Sequence, residues 1–255
     1  MGARVSVDFD AADRGTPSAD WDAWFAGRTP DPELAVPGDC RRLVVVAPHP
    51  DDEVLGVGVL ASRFARAGVE VRVVGVTDGD ASHPGSPTHS PQRLAARRVE
   101  ESRRACAVLG LPAPERLGLP DGRVADDEVP LAFALAELLG AADPTTWVLV
   151  TWRGDGHPDH EACGRAAATA CAATGARLVE YPVWTWHWAE PGDPRVPWGR
   201  RRRIVPDRAE LTAKREAVAE FATQIAPLSE LPGDEVILPA WVVERLVAPE
   251  ESVFV

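Results

Sequence analysis

Leu43-Val44-Val45-Val46-Ala47-Pro48-His49-Pro50-Asp51-Asp52-Glu53 is the stretch that decides the fold. Leu43 to Val46 is a short apolar, β-branched run, suited to a strand covered on both faces of a parallel sheet. Val54-Leu55-Gly56-Val57-Gly58-Val59-Leu60-Ala61, then Phe64-Ala65, reads as a helix packed on that strand. One histidine and three carboxylates therefore leave the carboxyl end of a strand, the edge where open α/β sheets bind ligands. Pro48 and Pro50 stiffen the turn that carries them. His49 and Asp52, three residues apart, can reach one cation, and imidazole with carboxylate suits Zn2+ or a similar divalent metal. Asp51, between them, can serve as a base beside the metal. The same residues also suit a polar turn whose carboxylates cap the next helix, so a third ligand is needed to decide.

A second stretch offers one. Trp147-Val148-Leu149-Val150-Thr151-Trp152 is again strand-like, and Arg153-Gly154-Asp155-Gly156-His157-Pro158-Asp159-His160 follows at its carboxyl end. Two of the chain's six histidines fall within four residues there. Two such loops can converge at one sheet edge, and together they point to a metal site.

Pro48-His49-Pro50-Asp51-Asp52-Glu53 with His157-Pro158-Asp159-His160 resembles the PIG-L/LmbE-like family of metal-dependent N-acetylglucosamine deacetylases. The family usually has Ala where Pro48 stands. Arg98-x-x-Glu101 followed by Ala107-Val108-Leu109-Gly110, Leu117-Gly118-Leu119-Pro120-Asp121-Gly122, and Lys214, Ala217 and Thr223-Gln224 agree with it in order, so the likeness runs from about Leu43 to the C-terminus. The resemblance implies one Zn2+ per chain, or another divalent metal, on His49, Asp52 and His160. It implies Asp51 as general base, a protonated His157 sharing the oxyanion with the metal, and Asp159 orienting one of the rings. Arg98 and Asp121 are implied as contacts to the sugar, although Asp121 also suits a plain Asp-Gly turn. Some relatives carry an aromatic residue where Asp155 stands; here its carboxylate is expected on the substrate side, holding His157 in its charged form. The activity implied is hydrolysis of the acetamide of an N-acetylglucosamine-type sugar or glycoconjugate, releasing acetate and a free amine. Members of the family act on sugar–inositol thiol precursors, glycolipids and glycosylated antibiotic intermediates.

Composition narrows the alternatives. The 255 residues, 45% of them apolar, suit one α/β domain with an ample core. The formal charge of −12 argues against nucleic acid or anionic membranes as partners, and no run approaches a membrane span. With no basic-then-apolar leader, a cytoplasmic protein is expected; a homo-oligomer stays open. Cys40, Cys106, Cys163 and Cys171 are scattered and read as small buried thiols rather than a disulfide framework. A nucleotide-binding oxidoreductase is disfavoured, since the first turn lacks G-x-G-x-x-G and its carboxylates would repel a pyrophosphate. A metal-dependent esterase or phosphoesterase on the same site, or a non-catalytic sugar-binding protein, stays as an alternative.

The rest of the chain alternates strand and helix, giving a Rossmann-like, mostly parallel sheet with helices on both faces in a single domain, residues 41–255. Residues 1–40 read as an extension docked on it: a polar arm from Asp8 to Pro17, then Trp21, Trp24 and Phe25 on a short helix. His83 and His89 fall in a polar loop and are expected in solvent, as are the charges of the 92–110 helix other than Arg98. Residues 183–198 hold four tryptophans. If extended, Trp184, Trp186 and Trp188 share one face; Trp186 and His187 are then candidates to line the substrate cleft, with Arg195 and Arg200–Arg203 near enough for an acidic aglycone. Asp207 caps a helix, and the tail from Val236 to Val255 is expected to give one short helix and an edge strand.

Overall fold

The computed structural model describes residues 14–255. Strands form at Arg42–Ala47 (β1), Glu70–Thr77 (β2), Glu115–Leu119 (β3), Thr146–Thr151 (β4), Arg177–Tyr181 (β5), Arg201–Ile204 (β6) and Glu251–Phe254 (β7). Helices form at Ser18–Ala26 (α1), Asp52–Arg66 (α2), Pro91–Val108 (α3), Glu128–Leu139 (α4), Pro158–Thr174 (α5), Thr185–Trp188 (α6), Arg208–Ala219 (α7), Ala222–Ile225 (α8) and Ala240–Leu246 (α9). The seven strands make one sheet in the order β3-β2-β1-β4-β5-β7-β6, parallel from β3 to β5 and antiparallel beyond. After β3 the chain crosses back to add β4 on the other side of β1. The reversal leaves a crevice at the carboxyl ends of β1 and β4, the place where such sheets bind ligands.

Alternation along β1 explains its unbroken apolar run. Leu43 and Val45 face a core shared with α2 and α7, while Val44 and Val46 face a second core shared with α4 and α5. The alanines of α5 (Ala162, Ala166, Ala167, Ala170) are buried against that second face. All four cysteines are buried and unpaired, as read from the sequence. β7 is not an edge strand as expected: its four residues are buried between β5 and β6, and the arginine-rich β6 takes the edge.

α2 is interrupted just past the metal motif, at Val57 (φ −140°, ψ 22°). Gly56 lies against the Tyr181 ring so closely that a Cβ would stand 2.3 Å from its Cδ2. Tyr181 is fixed in turn by donating from its hydroxyl to Val46 O at 2.9 Å. The backbone groups that the interruption frees are taken up by a buried ion pair. Glu251 accepts from the N–H of Val59 (2.8 Å) and Leu60 (2.9 Å), and Lys214 donates to Leu55 O (2.9 Å) and to Glu251 (2.8 Å). β5, α7 and β7 therefore hold the helix that presents Asp52.

Trp21 on α1 packs edge-on to Trp186 with ring centres 5.1 Å apart, and Trp24 lies 4.7 Å from Trp198. Leu34 N–H then donates to Arg203 O at 2.9 Å beside β6. The part of the expected polar arm before Arg14 lies outside the described residues. Among the described residues no helix is long and apolar enough to cross a membrane.

Candidate metal centre

The turn after β1 is held from the side. Pro48 O accepts from Thr77 N–H (3.0 Å) and from its hydroxyl (2.9 Å) at the end of β2. Opposite, Pro158 opens α5 with His157 at the capping position, where its Nδ1 accepts from Asp159 N–H at 3.2 Å, and His160 sits in the first turn. The two loops meet. His49 Nδ1, Asp52 Oδ2 and His160 Nε2 form a triangle with all three edges 3.2 Å. A zinc ion about 2.0–2.1 Å from each of three tetrahedral ligands would space them by about 3.3 Å.

The other nitrogens of the two rings face carboxylates. His49 Nε2 lies 3.1 Å from Asp121 Oδ1 and 3.3 Å from Asp159 Oδ2; His160 Nδ1 lies 2.7 Å from Asp155 Oδ2. A carboxylate that takes the N–H on one side sets the opposite nitrogen to face a cation, the usual way a metal-ligating imidazole is held; against the cost of burial, Asp52 and Asp155 push His160 up to about 9. His49, His157 and Asp159 also cluster closely enough for a cation. There, however, Asp159 is already accepting from Gly122 N–H (2.7 Å) and Val124 N–H (3.0 Å), with its Oδ2 also 3.3 Å from His49 Nε2. The triangle is the arrangement that fits a divalent cation.

Asp51 is not one of the three corners. Its Oδ2 is 3.1 Å from Arg98 Nη2, and Arg98 also donates to Gly79 O at 3.1 Å. Gly79 has φ +70°, and a Cβ there would stand 2.2 Å from the Arg98 guanidinium, so this glycine is what admits the arginine. Burial pushes Asp51 up to about 6 against the pull of Arg98. Burial also lowers His157, helped by the rings of His160 and His49, to about 3. With Nδ1 accepting from Asp159 N–H, the hydrogen that the ring can offer sits on Nε2.

His49, Asp51, Asp52, His157, Arg98 and Asp121 line a common cleft of about 480 Å3. Three other expectations do not fit it. Asp155 is fully buried and holds His160, not His157, while also accepting from the N–H groups of Val183 (2.9 Å), Trp184 (3.0 Å) and Thr185 (3.0 Å). That carboxylate gathers the chain after β5 into the helical turn α6, so the segment is not extended. The turn separates the indoles: Trp184 and His187 line the cleft, whereas Trp186 packs on α1 and Trp188 Nε1 donates to Asp155 O at 2.7 Å. Arg195, Arg200, Arg201 and Arg203 do not reach the cleft; they pair with Asp193, Glu180, Asp31 and Glu250. His83 and His89 are buried, not solvated: His83 lines the cleft and bonds to Glu235 O (3.0 Å), and His89 contacts Thr88 Oγ1 (2.8 Å) and Arg97 (2.7 Å). Glu101 is buried as well, accepting from Thr223 N–H (3.1 Å) and hydroxyl (2.6 Å).

The family model described as PIG-L: GlcNAc-PI de-N-acetylase matches residues 44–171, half of the chain. A 1D-myo-inositol 2-acetamido-2-deoxy-alpha-D-glucopyranoside deacetylase of Tsukamurella paurometabola is 32% identical over 188 residues, covering 60% of this chain and 63% of that protein. The protein of the same name from Rhodococcus jostii is 27% identical over 278 residues, covering 84% of this chain and 91% of its own. Among solved structures, the zinc-inhibited form of teicoplanin deacetylase Orf2 superposes with a TM-score of 0.62 at 21% identity, over 84% of this chain and 97% of that one, a likeness of fold.

Proposed function

The chain belongs to the PIG-L family of GlcNAc-PI de-N-acetylases, and on that premise we propose that it is a metal-dependent N-deacetylase that hydrolyses the acetamide of an N-acetylglucosamine-type glycoconjugate to acetate and a free amine. The observation that carries the reading is the 3.2 Å triangle of His49, Asp52 and His160, with Asp51 beside it. These three side chains would hold the cation, zinc by the chemistry of two imidazoles and a carboxylate. When bound there, a divalent cation polarises the amide carbonyl and favours ionisation of water.

The chain's own residues do the remaining work. Asp51, ionised and anchored by Arg98, takes a proton from the attacking water at its carboxylate. His157 offers Nε2–H to the oxygen on which negative charge develops, a donor whose loss typically costs ~10²–10³ in rate. The proton held by Asp51 passes to the leaving nitrogen as the C–N bond breaks. Asp155 and Asp159 keep His160 and His49 in the tautomers that face the cation. Asp121 shares His49 with Asp159 and borders the cleft, so its substrate contact and its hold on the ring come from one carboxylate.

The test is release of acetate and amine in equal amounts from a panel of N-acetylglucosaminides by the metal-loaded chain. His160→Ala should abolish both. Release of phosphate or alcohol from ester substrates, with no acetate from any amide, would support the esterase or phosphoesterase alternative instead.

A further inference from the structure

His187 and Trp241 line the cleft together with His49 and Asp52, and both are held by residues 14–16, just before α1. Thr16 N–H donates to His187 O at 2.9 Å, and its hydroxyl donates to Ala189 O at 2.7 Å. Gly15 has φ +54°, and a Cβ there would stand 2.5 Å from His187 O and 2.6 Å from its Nδ1, so a glycine is what lets the segment lie on this ring. Arg14 places its guanidinium over the Trp241 ring, 5.2 Å from the centre, while its carbonyl accepts from Arg245 Nη2. Arg245, buried on α9, holds the same two side chains: Nη1 lies 3.3 Å from His187 Nδ1, and Nε donates to Trp241 O at 3.2 Å. An arginine has no lone pair to offer, so His187 Nδ1 is the acceptor and its hydrogen sits on Nε2. Residues 14–16, His187, Trp241 and Arg245 all lie outside the 44–171 stretch that the family model matches.

We propose that residues 14–16 are part of the active site: Gly15 and Arg245 are positioning residues that set the His187 ring on the cleft wall, and so govern how tightly substrate is held rather than metal binding or the chemical step. The proposal rests on the N-deacetylase reading of the same cleft. α6 has four residues, too few to be stable through its own hydrogen bonds, so its side chains go where their neighbours put them. Asp155 fixes the start of the turn through Val183, Trp184 and Thr185 N–H. Its end, from His187 to Ala189, is fixed by Thr16, Gly15 and Arg245. A ring held in place before substrate arrives need not be ordered on binding, and a ring set free must be, a cost that falls on KM. The metal ligands are set by other groups, His49 by Asp121 and Asp159, and His160 by Asp155.

The experiment follows acetate release by the zinc-loaded full chain and its variants from the methyl, n-heptyl and myo-inositol glycosides of N-acetylglucosamine. On the glycoside turned over fastest, Gly15→Ala and Arg245→Met should each raise KM by about tenfold, with kcat within about twofold and zinc affinity unchanged. KM does not depend on how much variant protein folds. Combining Gly15→Ala with His187→Ala should give the KM of His187→Ala alone, because residues that act through one ring do not add; effects that multiply would overturn the proposal. Lower melting temperature or zinc affinity with unchanged KM would overturn it too, leaving the segment a purely structural role. If no glycoside releases acetate, the chemistry proposed above fails, yet calorimetric binding of the same three glycosides still decides this point. Weaker binding by Gly15→Ala than by the unaltered chain supports the positioning role, and equal binding, or none by either, overturns it.

Discussion

Replacing Asp155 with asparagine changes one atom of a side chain that touches neither water nor the cleft, and its cost can be worked from the hydrogen bonds. Oδ1 accepts from Val183 N–H (2.9 Å), Thr185 N–H (3.0 Å) and Thr185 hydroxyl (2.6 Å); Oδ2 accepts from His160 Nδ1–H (2.7 Å) and Trp184 N–H (3.0 Å). An asparagine keeps most of these bonds by placing its oxygen at the three-donor corner. Its NH2 then confronts the two remaining donors. A buried donor left without an acceptor costs about 1–3 kcal/mol, so two of them cost roughly 2–6 kcal/mol, or about 5–15 °C in melting temperature for a chain of this size. His160 can relieve its own conflict only by moving its hydrogen to Nε2, the nitrogen that faces Asp52 and His49. Zinc affinity should therefore fall by about 10–100-fold. Calorimetric melting and zinc titration against a competing chelator read the two effects separately. An Asp155→Asn protein with unchanged melting and wild-type zinc affinity would refute the reasoning.

Other perturbations discriminate among the roles assigned. Asp51→Asn should retain its zinc by elemental analysis and lose ~10²–10⁴ in kcat; near-normal turnover would place the base elsewhere. Trp186→Ala opens a cavity among Trp21, Phe25 and Trp198 and should cost about 3 kcal/mol in urea unfolding, while KM stays as it was; a raised KM at unchanged stability would return Trp186 to the cleft. Lys214→Met leaves Glu251 buried without its cation and should destabilise by about 3–5 kcal/mol, a loss visible in the same unfolding curves. Glu210 is held down at about 2, chiefly by its hydrogen bond from Arg63. Its folded value lies below the ordinary 4.5, so its contribution is fully present above about pH 4.5 and is lost as pH falls through about 2. Glu210→Gln should flatten the fall in urea midpoint over that window, and an unaltered slope would count against the pairing.

What the sequence shows, it shows where cause and effect lie close together in the chain. Leu43–Val46 reads as a strand because its own side chains fill both cores, and the metal motif reads as a site because four ligand-type residues leave one strand together. Features set by partners far along the chain are not legible locally. The alternating tryptophans suggest an extended run, but the conformation is set by Asp155, about thirty residues earlier, which draws three N–H groups into a turn. The burial of Glu101 depends on Thr223, and that of His83 on Glu235. β7 is interior because β6, fifty residues before it, takes the edge. In Asp155 the only local hint was a carboxylate where some relatives carry an aromatic residue. Nothing nearby showed which histidine it would hold.

Amide hydrolysis by this chain should require one cation at His49, Asp52 and His160. Acetate release from an N-acetylglucosaminide should be measured while zinc is added back to chelator-stripped protein, with elemental analysis of each sample. The stripped chain should release none, and release should rise and level off at one equivalent, with His49→Ala, Asp52→Ala and His160→Ala failing to recover. Undiminished release from metal-free protein, or full zinc content in all three variants, would contradict that requirement.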